Sequence, residues 1–181
     1  RRTLPLTENL PKALLKILNS TIIENTLDIL SEIIDQVIIV VGYLKEKIIE
    51  KIGNRYKNLK IFYKVQDQIC GTGNAVLICE NFFEKDVNFL VLNGDDIYSK
   101  KDLEKLIQKK NSLLCTKVEN PSNYGVLQVQ GDVLLKIIEK PKENFGNLVN
   151  IGCYFLSYDF FEYLKLTPKS QRGEVEITSC I

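Results

Sequence analysis

The segment that most restricts the fold is Val37-Ile38-Ile39-Val40-Val41, an unbroken β-branched run closed by Gly42. Side chains stiff at χ1 fit a pleated strand, and the absence of polar alternation is what a strand covered on both faces requires. Upstream, Thr21-Ile22-Ile23-Glu24 forms a capping box, and Ile22, Ile23, Leu27, Leu30 and Ile33 recur at helical spacing. A helix is therefore predicted over about 21–34. Leu44 to Ile52 reads as a short helix with Lys and Glu outward, and Leu59-Lys60-Ile61-Phe62-Tyr63 as the next strand. Strand and helix alternate and the strands are continuously apolar. The pattern predicts an α/β fold, a mainly parallel mixed sheet with helices on both faces.

The next unit repeats the rhythm. Gly71-Thr72-Gly73 opens a helix carrying Ala75, Val76, Leu77 and Cys79, and the apolar run Phe89-Leu90-Val91-Leu92 stops at Asn93-Gly94-Asp95-Asp96. Ser99 to Asp102 is a second capping box, for a helix to about Lys109. In open α/β sheets ligands bind outside the carboxyl ends of strands. Asp95, just past a buried strand and beside a Gly that permits close backbone approach, is a candidate metal ligand for a phosphate. By itself the stretch reads better as a turn feeding a helix N-terminus. Beyond it the pattern changes to strands joined by loops: Leu113 to Lys117, Gly125 to Val129, Val133 to Glu139 and Val149 to Phe155, with a tight turn at Gln130-Gly131-Asp132. These are expected to form a substrate-side lobe of the same sheet. Helices are predicted near Tyr158 to Leu164 and from about Glu174.

Composition narrows the chemistry. At 181 residues the chain is the length of one domain, and Lys+Arg 24 against Asp+Glu 23 leaves a net charge of +1. No basic field suits nucleic acid, and no apolar run approaches the roughly 20 residues of a membrane span. With His 0, Ser-His and Cys-His nucleophiles are excluded. Cys70, Cys79, Cys115, Cys153 and Cys180 contain no CxxC pair, which argues against zinc and for buried free thiols in a reducing cytoplasm. Any chemistry must run on carboxylates, Lys, Arg, backbone amides or a metal. The chain begins at Arg1-Arg2 without Met and ends at Ile181 inside a predicted helix, so it is expected to be a fragment.

Several polar groups are candidates for that chemistry. Lys12 follows Pro11 in a loop and can meet a phosphate as a point charge, or be a solvated surface Lys. Gln66 carries an amide donor and acceptor suited to a nucleobase edge. The glycines at 71 and 73 allow close backbone approach, or simply cap a helix. Glu139-Lys140-Pro141 ends a strand, where a carboxylate can accept from sugar hydroxyls and a Lys can meet a phosphate. Asn150, between Val149 and Ile151, needs a partner if buried.

Together and in this order, these stretches resemble the sugar-1-phosphate nucleotidyltransferase family, the pyrophosphorylases that make nucleotide sugars. Arg2-Thr3-Leu4-Pro5-Leu6-Thr7 is similar to the family's Arg-x-x-Pro-Leu-Thr, and Pro11-Lys12-Ala13-Leu14 to its Pro-Lys-x-Leu. Gln66 with Gly71-Thr72-Gly73 resembles its base-reading segment, and Leu92-Asn93-Gly94-Asp95 its metal-binding Gly-Asp. Asn120 to Val126, Ile137 to Pro141, Asn147 to Gly152 and Arg172 to Thr178 resemble the remaining signatures.

The resemblance implies a Rossmann-like three-layer α/β/α nucleotidyltransferase fold over 1–181. It also implies transfer of a nucleoside monophosphate from an NTP to a sugar-1-phosphate, with Mg²⁺ as cofactor. By it, Arg2 would hold the leaving pyrophosphate, Lys12 would neutralise phosphates and Asp95 would bind the metal. Gln66, Gly71 and Thr72 would read the base. Tyr124, Gly125, Glu139, Lys140 and Asn150 would surround the sugar, with Lys140 on its phosphate. A Gln at 66 favours UTP or dTTP. Glucose-1-phosphate and N-acetylglucosamine-1-phosphate are both open, and a homo-oligomer is compatible. The family's Gly-rich loop before Arg2 has no counterpart, its second metal-binding Asp would fall beyond Ile181, and Ser179 stands where it has Asp. A cytidylyltransferase for a phospho-alcohol and a non-catalytic regulatory subunit of the same fold are the alternative readings.

Overall fold

The computed structural model describes residues 6–68, 70–170 and 173–181. Its first elements follow from local sequence. The Thr21 hydroxyl accepts from the Glu24 backbone N–H at 3.3 Å, and the Glu24 carboxylate accepts from the Thr21 N–H at 2.9 Å. This reciprocal cap starts helix α1 (Ile22–Leu30), which buries Ile22, Ile23, Leu27 and Leu30. The helix ends earlier than its apolar spacing predicts. After Leu30 the N–H groups of Glu32 and Ile33 bond back to Ile29 and Leu30, three residues away, so the chain tightens into a turn.

Glu24 is held further by the Lys51 ammonium at 2.8 Å. The Lys51 bond first, and the Thr21 N–H next, bring its carboxyl from the ordinary 4.5 to about 2. A carboxyl depressed in the folded state stabilises it fully above the unfolded pKa, and that contribution is lost as pH falls through the folded value. Unfolding by urea at a series of pH values should therefore show a Glu24-dependent loss between about pH 4.5 and 2. Glu24→Gln should flatten that limb, and Thr21→Ala should cost about 1 kcal/mol at neutral pH.

Two compact units make up the chain, one within Arg1–Ile69 and Asn93–Lys105, the other within Cys70–Leu92 and Leu106–Ile181. In the first, β1 (Lys16–Ile17) and β2 (Ser20–Thr21) form a short antiparallel hairpin. Strand β3 (Gln36–Val41) leads through α2 (Lys45–Ile52) and β4 (Arg55–Tyr56) to β5 (Leu59–Val65). β3 and β5 pair in parallel from Gln36 opposite Lys60 to Val41 opposite Val65, and β4 adds antiparallel to β5. Leu27, Leu59, Val41 and Ile61 are among the unit's most buried side chains. Only Val41 of the β-branched run is fully buried, the rest being half-buried, so the strand is less covered than the run suggests.

The second unit is a five-stranded sheet around β10 (Leu148–Ser157), which pairs antiparallel with β6 (Asn88–Leu92), β7 (Ser112–Lys117) and β8 (Gly125–Gln130). β8 continues antiparallel to β9 (Val133–Glu139) across the predicted turn, where Gly131 has φ of 60°. Helices α3 (Thr72–Leu77) and α5 (Phe160–Leu166) belong to this unit. Its core joins Val76, Phe89, Tyr154, Leu156, Phe161 and Leu164, with the Phe89 and Phe161 rings stacked at 4.9 Å. Helix α4 (Lys100–Leu106) starts on the predicted Ser99–Asp102 box, the Asp102 N–H donating to Ser99 Oγ at 3.1 Å.

Three expectations change. Among the described residues parallel pairing is confined to β3 and β5, so the sheet is not mainly parallel, and the strands fall in three sheets instead of one. An antiparallel strand such as β6 can be as continuously apolar as a parallel one, and the pattern carries no direction. No helix starts at Glu174. Val175 is tied in an extended segment, its N–H on Cys70 O and its carbonyl on the Gly73 N–H, both at 2.8 Å, and only a short turn forms at Ile177–Ser179. None of the five cysteines forms a disulfide, but Cys115 is exposed on β7, while Cys79 and Cys153 are buried.

Candidate functional site

β6 delivers the chain to Asn93-Gly94-Asp95-Asp96. In the first unit, which holds Asn93–Lys105, Pro11, with φ −56° and ψ 140°, turns the backbone into the short 3₁₀ segment Lys12–Leu14. This turn brings Lys12 Nζ to 2.6 Å from Asp95 Oδ2. Both side chains are more than two-fifths exposed, at 44% and 43%, so the pair contributes at most about 1 kcal/mol to stability and is open to a ligand. Its hydrogen bond to Asp95 holds the Lys12 pKa above the usual value, so the side chain is an ammonium at neutral pH. The sequence placed these residues 83 apart, and the fold joins them.

Asp95 offers hard carboxylate oxygen. Among the described residues no three or more His, Cys, Asp or Glu side chains gather as a metal cage. Mg²⁺ is commonly held by one or two carboxylates plus substrate phosphates, so this donor set fits it. A Cβ at Gly94 would meet no protein atom within 4 Å. Asn93 and Tyr98 were not foreseen. The Asn93 N–H donates to the Tyr98 hydroxyl at 3.0 Å, and Asn93 Nδ2 donates to Asp96 Oδ2 at 2.9 Å. Nothing in their spacing marked either residue before its partner was placed.

The base-reading candidates divide between the units. Gln66 follows β5 in the first, its N–H on Val41 O at 2.8 Å. Gly71 and Thr72 start α3 in the second. Gly71 has φ of 95°, and the amides of Gly73 and Asn74 point at Val175 O, at 2.8 and 3.4 Å. The Thr72 hydroxyl accepts from the Ile177 N–H at 3.2 Å. Two helix-start amides, those of Gly73 and Asn74, are therefore spent within the second unit.

The sugar-side candidates converge on one sheet. Gly125 sits opposite Glu139 in the β8–β9 ladder, and a Cβ there would lie 3.0 Å from Glu139 Oε1. Tyr124 is exposed, and its carbonyl accepts from the Lys140 N–H at 2.9 Å, which holds Lys140 at φ of 43°. Asn150 donates to the Tyr154 hydroxyl at 2.6 Å and accepts from the Gly152 N–H at 3.0 Å. This locks the amide across the bulge in β10. Burial pushes the Tyr154 phenol up to about 12, the Asn150 bond opposing the rise and the Glu139 charge adding to it. Tyr154 was thus a missed neighbour of this cluster. Arg2, and Arg172 of the last signature, lie outside the described residues.

The fold is the Rossmann-like α/β nucleotidyltransferase fold, matched by solved structures over 99% of this chain. The chain belongs to the nucleotidyl transferase family, whose family model matches residues 1–181. It is 37% identical over 187 residues to the bifunctional protein GlmU of Methanococcus vannielii, covering 99% of this chain and 44% of that protein. It is 35% identical to a bifunctional sugar-1-phosphate nucleotidylyltransferase/acetyltransferase of Sulfurisphaera tokodaii, covering 98% of this chain and 43% of that protein. It thus spans less than half the length of these curated relatives. A Bacillus anthracis protein assigned as a glucose-1-phosphate thymidylyltransferase superposes with TM-score 0.85 at 28% identity, covering 76% of that chain. A UDP-glucose pyrophosphorylase solved with UDP-glucose gives 0.82 at 25%, covering 80%.

Proposed function

We propose that this chain carries the nucleotidyl-transfer site of a sugar-1-phosphate nucleotidyltransferase. A phosphate oxygen of the sugar-1-phosphate attacks the α-phosphorus of an NTP in line. As that P–O bond forms, the bond from the α-phosphorus to the bridging oxygen breaks, and pyrophosphate leaves with the electron pair. The products are an NDP-sugar and pyrophosphate. No protein nucleophile is needed, which suits a chain with His 0. Positioning and charge neutralisation carry the reaction.

The observation behind this reading is the exposed Lys12–Asp95 pair at 2.6 Å, where a cation and a hard carboxylate meet beyond the end of an apolar strand. Lys12 would leave Asp95 for the α-phosphate and pyrophosphate oxygens, and Asp95 would then hold Mg²⁺. When bound, the ion neutralises phosphate charge. Arg2 would grip the pyrophosphate. Gln66, with Gly71 and Thr72, would read a UTP or dTTP base. Tyr124, Gly125, Glu139, Lys140 and Asn150 would surround glucose-1-phosphate or N-acetylglucosamine-1-phosphate. The free thiols support a reducing, cytoplasmic setting. Whether the protein works as a homo-oligomer is a matter for sedimentation.

Pyrophosphate release by the intact protein over a grid of NTPs and sugar-1-phosphates tests the reading. UTP or dTTP with one of the two sugar phosphates should give the highest kcat/KM, above every purine nucleotide by at least about tenfold. Faster turnover of a purine nucleotide would overturn the base assignment. Turnover confined to CTP and phosphocholine would favour the cytidylyltransferase reading.

A further inference from the structure

We infer that Tyr98 is a positioning residue for the Asp95 carboxylate, acting through the backbone of Asn93. The inference rests on the reading of Asp95 as the cation ligand. The Tyr98 hydroxyl bonds both main-chain groups of one residue. It accepts from the Asn93 N–H at 3.0 Å and donates to the Asn93 carbonyl at 3.4 Å. The Tyr98 side chain is 6% exposed, so the hydroxyl acts from inside the fold. On the far side of Asp95, the Asn93 amide holds Asp96 at 2.9 Å. The turn is therefore tied on both sides of Gly94-Asp95, and both of these ties pass through Asn93.

The turn needs these ties. Asp95 is 43% exposed and pairs with the Lys12 ammonium, which the proposed reaction draws away. Gly94 has no Cβ, and nothing lies within 4 Å of where one would be, so packing does not restrain it. Fixing a free backbone residue costs conformational entropy. A turn already fixed by Tyr98 spares the cation that cost at binding. A Phe at 98 would keep the ring and its burial while removing the hydroxyl that Asn93 uses.

Tyr98→Phe in the intact protein tests this. Two constants are read: Mn²⁺ affinity for the enzyme–UTP complex by water-proton relaxation, without sugar phosphate, and the Mg²⁺ concentration giving half-maximal pyrophosphate release. Both should weaken about three- to tenfold, the span of one net hydrogen bond, while kcat at saturating Mg²⁺ stays within about twofold. A merely structural role would lower the unfolding temperature without moving the metal constants. In the wild type, the Asn93 amide should exchange with solvent as slowly as β6, a check that needs no variant. Unchanged metal constants in Tyr98→Phe, with both weakened in Asp95→Asn, overturn the role of Tyr98. So does a kcat loss that added Mg²⁺ does not restore, or fast Asn93 exchange. If Asp95→Asn itself leaves both constants unchanged, the assignment of Asp95 falls, and the inference with it.

Discussion

Asp95→Asn should lower pyrophosphate release from the intact protein by at least about a hundredfold while leaving the protein folded. The two halves of this expectation have separate causes. Asp95 and Lys12 are both more than two-fifths exposed, so losing their pair removes at most about 1 kcal/mol of stability. Asn is nearly isosteric, and Gly94 and Asn93 remain to shape the turn. The reaction loses more. Neutral Asn cannot balance a divalent cation or return Lys12 to a defined position, and removing one such electrostatic element from a site costs about 10²–10³ in rate. Steady-state assay alongside thermal unfolding checks both halves. Pyrophosphate release at the wild-type rate would refute the proposed mechanism. Lost activity together with lost folding would show that the ion pair is structural.

Gly71→Ala should do the reverse, destabilising the second unit by about 3 kcal/mol or more. At φ of 95° an L side chain is strained, and the added Cβ would lie 2.3 Å from Val175 O and 2.9 Å from Val175 C. These neighbours are backbone atoms held by bonds at 2.8 Å to Cys70 and Gly73, so they cannot move aside cheaply. For a chain of this size the unfolding midpoint should fall by about 6–12 °C. Gly94→Ala is the contrast. With open space around its Cβ, it should change stability by no more than about 0.5 kcal/mol. Scanning calorimetry of both variants would test the pair, and equal midpoints would show that the Val175 contact is not restrictive.

The contrast between these glycines also marks where sequence reading stops. Gly71 and Gly94 look alike in sequence, each small and beside a polar residue. One is required by a carbonyl more than a hundred residues away, and the other faces open space. The same limit governs the acids. Asp95 and Asp96 are neighbours, but one meets Lys12 and the other the Asn93 amide. Tyr98, Asn93 and Tyr154 escaped notice because a buried Tyr or a turn Asn has no distinctive spacing until its partner is placed.

What the sequence determined by itself is local. The capping box at Thr21 and the Ser99 side-chain cap start α1 and α4, because donor and acceptor lie within three residues. The turn at Gly131 and the strands β3, β5, β8, β9 and β10 follow from hydropathy and turn chemistry over short windows. The ordered family signatures were legible too, and the match over residues 1–181 agrees with them. Tertiary structure decided the rest: that β6 runs antiparallel to β10, that the segment after Glu174 stays extended against Cys70 and Gly73, and that Lys12 reaches Asp95. Side-chain pattern marks where a strand runs, but not which strand lies beside it or in which direction. Those choices are made by hydrogen bonds and packing between residues distant in the chain.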